Sequence, residues 1–159
     1  MKVSQAMKRD VVSAAPEMTI LEGAQLIVQH KIGTLPIITP GGRLVGVVTI
    51  SDLLGAFIPD YFDMLETMRF VHDFGALEDF LPKDFSAIAH KSLRTIMKPP
   101  LAVEADASIL RAATRMIRQN AIDLPVIDHN YNLVGLVSHV DIGTRFLQEW
   151  IETRKGSGE

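Results

Sequence analysis

Two stretches of the chain, "TILEGAQLIVQHK" from Thr19 and "SILRAATRMIRQN" from Ser108, set apolar residues at helical spacing. Ile20, Ala24 and Ile27 mark the first face, and Ile109, Ala113, Met116 and Ile117 the second. Each opens on a hydroxyl residue suited to a helix start. Thr19 with Glu22 forms a capping-box pattern, whereas Ser108 lacks the acidic partner three residues on. Two short apolar runs follow each helix: "TLPIIT" and "RLVGVVT" in one case, "DLPVID" and "NLVGLVS" in the other. The turns "PGG" (Pro40 to Gly42) and "HNYN" (His129 to Asn132) join them as strand pairs. Upstream, "VVSAAPEM" and "LAVEADA" read as short extended segments, and a last helix begins after each strand pair. The predicted order is β-α-β-β-α, twice.

The two halves share residues as well as pattern. A shift of 89 positions aligns Ile20 with Ile109, Ala24 with Ala113, Pro36 with Pro125, Gly46 with Gly135, Thr49 with Ser138 and Asp52 with Asp141. Further upstream the shift is 90, pairing "QAMK" with "TIMK", and one extra residue near Pro99-Pro100 explains the slip. Residues 1–57 and 93–153 therefore form two repeats, separated by an insertion over 58–92 and followed by a short tail, 154–159. One such unit has too little core to stand alone comfortably, so two units burying their sheets together is the economical arrangement.

Composition narrows the class. The 159 residues are 47% hydrophobic and 22% charged, enough for a sizeable core. A net charge of −3 gives no footprint for duplex nucleic acid, whose binding rests on Lys and Arg neutralising phosphates. With no cysteine, disulfides and thiolate metal sites are excluded. The start lacks the apolar core of a secretion signal, and no window approaches a membrane span, so a soluble cytoplasmic protein is expected. The five histidines fall into no zinc-protease spacing, and nucleophile elbow and P-loop are both missing. No catalytic residue, metal site or required cofactor is assigned.

The duplicated strand "LVG-V-V-T" and the corner [ST]-x-x-D, present twice in register, resemble a tandem pair of CBS domains, a Bateman module. The resemblance covers about 115 of the 159 residues. It implies an α/β fold of two β-α-β-β-α repeats packed as a pseudo-twofold pair, with two clefts between the units and, here, a helical insertion joining them. It further implies a regulatory, non-catalytic role, clefts that take AMP, ADP, ATP or S-adenosylmethionine, and a second pairing into a homodimer.

The repeated corner carries the candidate chemistry. Thr49 with Asp52, and Ser138 with Asp141, lie where a strand ends and a helix begins, a place that favours anions. The hydroxyl can donate to a phosphate oxygen and the carboxylate can accept from a ribose diol. The same pattern also satisfies a helix's own N–H groups, so capping alone remains the alternative. Ser138, His139 and Asp141 are favoured over Thr49 and Asp52, because repeat one has Ile50 where repeat two offers His139. The resemblance adds a base pocket around Val12 and Leu101, in the extended segments, and around Pro36 and Pro125, at the strand starts. Lys8 and Lys98 are within reach of phosphates or are plain surface lysines.

Between the repeats, the run from Ala56 to Lys91 holds seven of the ten aromatics together with many carboxylates. That aromatic content argues against a disordered linker. Tyr61, Leu65, Met68 and Val71 are spaced like a helix face, with Pro59 suited to a first turn. One or two short helices are expected there, folded back on the pair, lining a dimer contact or docking a protein partner.

Overall fold

The computed structural model describes residues 1–57 and 85–156. After a 3₁₀ turn at Val3–Gln5 come α1 (Ile20–His30), β1 (Thr34–Ile38), β2 (Leu44–Thr49) and α2 (Ile50–Phe57). The second half contributes α3 (Phe85–Ala89), a 3₁₀ turn at Leu93–Thr95, β3 (Val103–Glu104), α4 (Ile109–Gln119), β4 (Asp123–Ile127), β5 (Leu133–Ser138) and α5 (His139–Gly156). The proposed helix face at Tyr61, Leu65, Met68 and Val71 lies outside the described residues.

Local chemistry sets the element ends as the sequence suggests. Thr19 and Glu22 satisfy each other's backbone N–H groups at the start of α1, and the Ser108 side chain accepts from the Arg111 N–H at the start of α4. Both helices stop at a residue in the left-handed region, Lys31 at φ 52° and Asn120 at φ 50°. β1 pairs antiparallel with β2, and β4 with β5, in matching registers that slip between Ile37 and Ile38 and between Val126 and Ile127. The leading strand of the plan is β3 in the second repeat and a single bridge, Ala14 to Ile37, in the first.

The repeats exchange their leading segments. Val3 is fully buried in the core of the second repeat, beside Val103, Met116, Leu124 and Ile142. Leu93 is fully buried in the core of the first, beside Ile20, Ile27, Leu35 and Val48. Backbone bonds fix the exchange: Lys8 bonds reciprocally to Leu136 at 2.8 and 2.9 Å, and Lys98 to Val47 at 2.9 and 3.0 Å. The packing units therefore do not coincide with 1–57 and 93–153; each core is completed by the other repeat's leader.

This exchange explains the glycine in both "LVG" strands. A Cβ on Gly46 would lie 2.9 Å from the Met97 sulfur and 3.3 Å from the Lys98 carbonyl oxygen. On Gly135 it would meet the Met7 sulfur at 2.6 Å and the Lys8 carbonyl at 2.9 Å. A third, smaller cluster of Leu44, Ala102 and Ile127 is buried where the two hairpins approach each other. There Leu44 N–H donates to Tyr131 and Leu133 N–H to Gly42, cross-bonding the two turns. Gly42 at φ 86° and Tyr131 at φ 68° occupy equivalent turn positions, so the second repeat holds a bulky residue where the first uses glycine.

Candidate functional site: two corners and two clefts

Both corners are built alike. Asp52 Oδ2 accepts from the Thr49 N–H at 2.8 Å and the Thr49 hydroxyl at 2.7 Å, while the Asp52 N–H donates back to the Thr49 hydroxyl at 3.2 Å. In the second repeat Asp141 Oδ2 accepts from Ser138 N–H at 3.0 Å and its hydroxyl at 2.7 Å, with the return bond at 3.1 Å. Each is a reciprocal cap, with hydroxyl and carboxylate filling donors that the helix start leaves open.

Their surroundings differ. Asp52 is only 4% exposed at its side chain, and its other oxygen, Oδ1, receives Lys98 Nζ at 2.5 Å. Burial pushes the Asp52 carboxyl up, but the bonds from Lys98 and from the Thr49 hydroxyl and N–H outweigh it, so it sits below the ordinary carboxylate range. Asp141 is 20% exposed, and its lysine, Lys8, stands 3.7 Å from the already engaged Oδ2. Lys98 and Lys8 arrive on the exchanged leaders, one place after the methionines that pack on Gly46 and Gly135.

The Thr49–Asp52 corner opens on a cleft of about 400 Å³ between the repeats. Its walls come from both: Thr34, Val47, Thr49 and Asp52 on one side, Pro99, Leu101, Ile122, Asp123 and Pro125 on the other. A smaller cleft of about 220 Å³ is lined by Lys8, Asp10, Val12, Lys31, Ile32 and Leu136. Gly33, Thr34 and Asp123 wall both clefts. The Thr34 hydroxyl donates to Asp123 Oδ2 at 2.9 Å, across the 89-residue repeat offset, so this bond lies between positions related by the pseudo-twofold.

The structure thus gathers Thr49, Asp52, Leu101 and Pro125 around one cavity and sends Val12 to the other. Pro36 is buried in β1 and borders neither. Ser138 and His139 also line neither cleft, and the His139 side chain is exposed. Asp141 borders a shallow groove with Gln5, Val140, Thr144 and Arg145. Two residues near the sequence-predicted pocket, one weighed as a phosphate contact or a surface lysine and one in the turn before Pro125, belong to the large cleft. Lys98 is tied to Asp52, and Asp123 holds the shared wall. The repeat alignment carried a signal for Asp123, since it falls opposite Thr34, a polar residue buried to 7% exposure.

A pseudo-twofold α/β pair with ligand-sized clefts between its repeats is the architecture of a tandem CBS module. The CBS domain family model matches residues 3–59 and 93–145, and the chain belongs to that family. A crystal structure of CBSX2 in complex with AMP superposes with a TM-score of 0.69 at 25% identity, covering 92% of this chain and 96% of that one. The CBS domain pair of protein MJ0100, in complex with 5'-methylthioadenosine and S-adenosyl-L-methionine, gives 0.68 at 23% identity, over 94% of this chain and 98% of that one. Among curated sequences, the uncharacterized protein MJ1426 of Methanocaldococcus jannaschii is 24% identical over 152 residues, 89% of each chain. Other relatives are longer, and this chain spans 60%, 42% and 23% of three of them. Among the described residues no helix is long and apolar enough to cross a membrane.

Proposed function

We propose that this chain is a non-catalytic regulatory module that senses an adenosyl ligand in the cleft beneath the Thr49–Asp52 corner. The observation that carries the reading is the composition of that 400 Å³ cavity. A hydroxyl–carboxylate corner from one repeat faces an apolar wall of Leu101, Ile122 and Pro125 from the other. A ribose diol can be read by Asp52 while an adenine ring lies against the apolar wall, the mix of apolar lining and few polar groups that small-molecule sites use. The AMP complex of the similar CBSX2 supports the ligand class. Because the cleft is walled by both repeats, a ligand that prefers one angle between them shifts the pair toward that angle.

Thermal unfolding of ligand-stripped protein with millimolar AMP, ADP, ATP or S-adenosylmethionine tests this. A ligand at a hundred times its dissociation constant stabilises by about 2.7 kcal/mol. At this chain length the midpoint should rise by roughly 6–10 °C. Asp52→Ala should abolish the rise while keeping a cooperative transition; no rise with any of the four ligands sinks the proposal.

A second reading has its own observation. Both corners are complete as caps, and α5 exposes Phe146, Leu147, Trp150 and Ile151 at 46–54% each. An apolar helix face of this kind suits a homodimer contact. Sedimentation at micromolar protein separates the readings. A dimer whose dissociation constant ignores every adenosyl ligand is the signature of a constitutive association module.

A further inference from the structure

Resting on the adenosyl reading above, we infer that Asp123 makes the large cleft select adenosyl ligands that carry no phosphate, with cationic ones favoured. Among the described residues, the charged side chains lining this cleft are Asp52, Lys98 and Asp123. Asp52 and Lys98 cancel each other in a close ion pair. Asp123 has a hydrogen bond from Thr34 but no ion-pair partner among the described residues, so the lining carries one uncompensated negative charge. A cleft of about 400 Å³ has dimensions comparable to the ~8 Å screening length at physiological salt, so a ligand charge placed on the Asp123 side of it feels that carboxylate.

Much of the usual attraction for phosphate is already engaged, with Ser51 the helix-start residue of the cleft outside the cap. At the start of α2, the Thr49 N–H and hydroxyl donate to Asp52 and the Ile50 N–H donates to Gly33 at 2.9 Å. The helix cap is filled by the chain's own carboxylate. Moving Lys98 onto a phosphate would strip Asp52, a side chain only 4% exposed, of its partner without changing the sum of charges. A phosphate monoester brings between −1.5 and −2 at neutral pH, on the order given for phosphorylated side chains. 5'-Methylthioadenosine has the same nucleoside and no charge there, and S-adenosylmethionine brings a sulfonium and an ammonium. Two features compete. Lys8 and Lys31, offset in part by Asp10, line the smaller cleft on the far side of Asp123. In a groove outside the lip, Arg111, Arg115 and Arg118 follow one stripe of α4, with Gln119 shared with the large cleft. Arg115 is engaged there with the Ala102 carbonyl.

Isothermal titration of the full chain with S-adenosylmethionine, 5'-methylthioadenosine, AMP and ATP decides the matter, on wild type and on Asp123→Asn. In the wild type, AMP should bind at least tenfold more weakly than 5'-methylthioadenosine, a gap of about 1.4 kcal/mol. In Asp123→Asn the gap should close to within threefold while S-adenosylmethionine weakens. Asp123→Thr, which gives the second repeat the residue that the first carries at position 34, is the companion variant should the amide fail to fold. Wild-type AMP binding as tight as 5'-methylthioadenosine, or a gap unchanged in both variants, overturns the selection and leaves the adenosyl reading standing. ATP binding tightest of all and lost in Arg118→Ala also overturns it, by handing the polyphosphate to the arginine groove. If none of the four binds, the adenosyl reading fails and the selection goes with it.

Discussion

The Thr49–Asp52 and Ser138–Asp141 corners have the same sequence pattern and the same three hydrogen bonds, yet among the described residues the first lines a cleft of about 400 Å³ between the repeats and the second borders a shallow surface groove. Asp52 is sealed by Lys98 at 2.5 Å, whereas Asp141 is five times as exposed and its lysine stands 3.7 Å away. Identical local chemistry therefore yields a buried, neutralised carboxylate in one repeat and a half-open one in the other. What differs is not the corner but the exchanged leader beside it and the opposite wall. The motif reports where a site can be, and the other repeat decides whether it is one.

The comparison breaks most strongly at the leaders. Leu93 is fully buried and anchors the segment that delivers Lys98 to Asp52. Leu93→Ala should lower unfolding free energy by about 2–5 kcal/mol, the range for removing a buried leucine. Val3→Ala, at the matching place in the other leader, removes fewer methylenes and should cost about 1.5–3 kcal/mol. Urea denaturation of both variants checks the order. Equal and negligible losses would mean that the exchanged leaders do not complete the two cores.

The corners themselves come next. Asp52→Ala loses the carboxylate half of the capping box, which accepts from the Thr49 N–H and hydroxyl, worth about 1 kcal/mol. It also loses a nearly buried pairing, which Lys98, at 70% exposed, partly recovers in solvent. A total of about 1.5–2 kcal/mol is expected. Asp141→Ala should cost little beyond the equivalent carboxylate half of its capping box, about 1 kcal/mol. Matching losses for the two would erase the asymmetry between the repeats.

Much of this arrangement was legible in the residues. The duplicated plan, both helix caps, the strand pairs and the corners follow from period, turn chemistry and the 89-residue alignment, which are local properties. The exchange of leaders was not, because an alignment says that Val3 and Leu93 are equivalent but not which core each enters. The change of offset from 89 to 90 near Pro99-Pro100 marks where the leader joins, without telling its direction. For the same reason Lys98 read as a surface lysine: its partner is 46 positions away, set by a tertiary pairing with β2. His139 drew attention through its place in sequence, yet it is exposed and lines neither cleft. Residue type named the chemistry; the opposing repeat supplied the cavity.

The smallest effect is the sharpest probe of the asymmetry, because it isolates the two lysines. Asp52 is held below its ordinary range, so its contribution is fully present above the unfolded carboxyl value of about 3.9 and is lost as pH falls through the folded one. Lys98→Met removes a group that lowers Asp52 while burial, which raises it, remains. The acid loss should then begin at higher pH in the variant. The stability gap to wild type should be widest near pH 6–7, about 1 kcal/mol given the exposure of Lys98, and close as Asp52 protonates in both. Glu17, Glu22 and Asp128 are lowered by their own hydrogen bonds and contribute to the acid limb of both proteins equally, so they cancel in the difference. Lys8→Met, whose ammonium is 3.7 Å from Asp141 and 67% exposed, should open a gap of no more than about 0.5 kcal/mol. Urea midpoints from pH 3 to 7 read all three proteins. A Lys98→Met gap that stays constant into acid would show that the lysine stabilises by packing rather than by charge, and the distinction between the corners would then rest on the cleft alone.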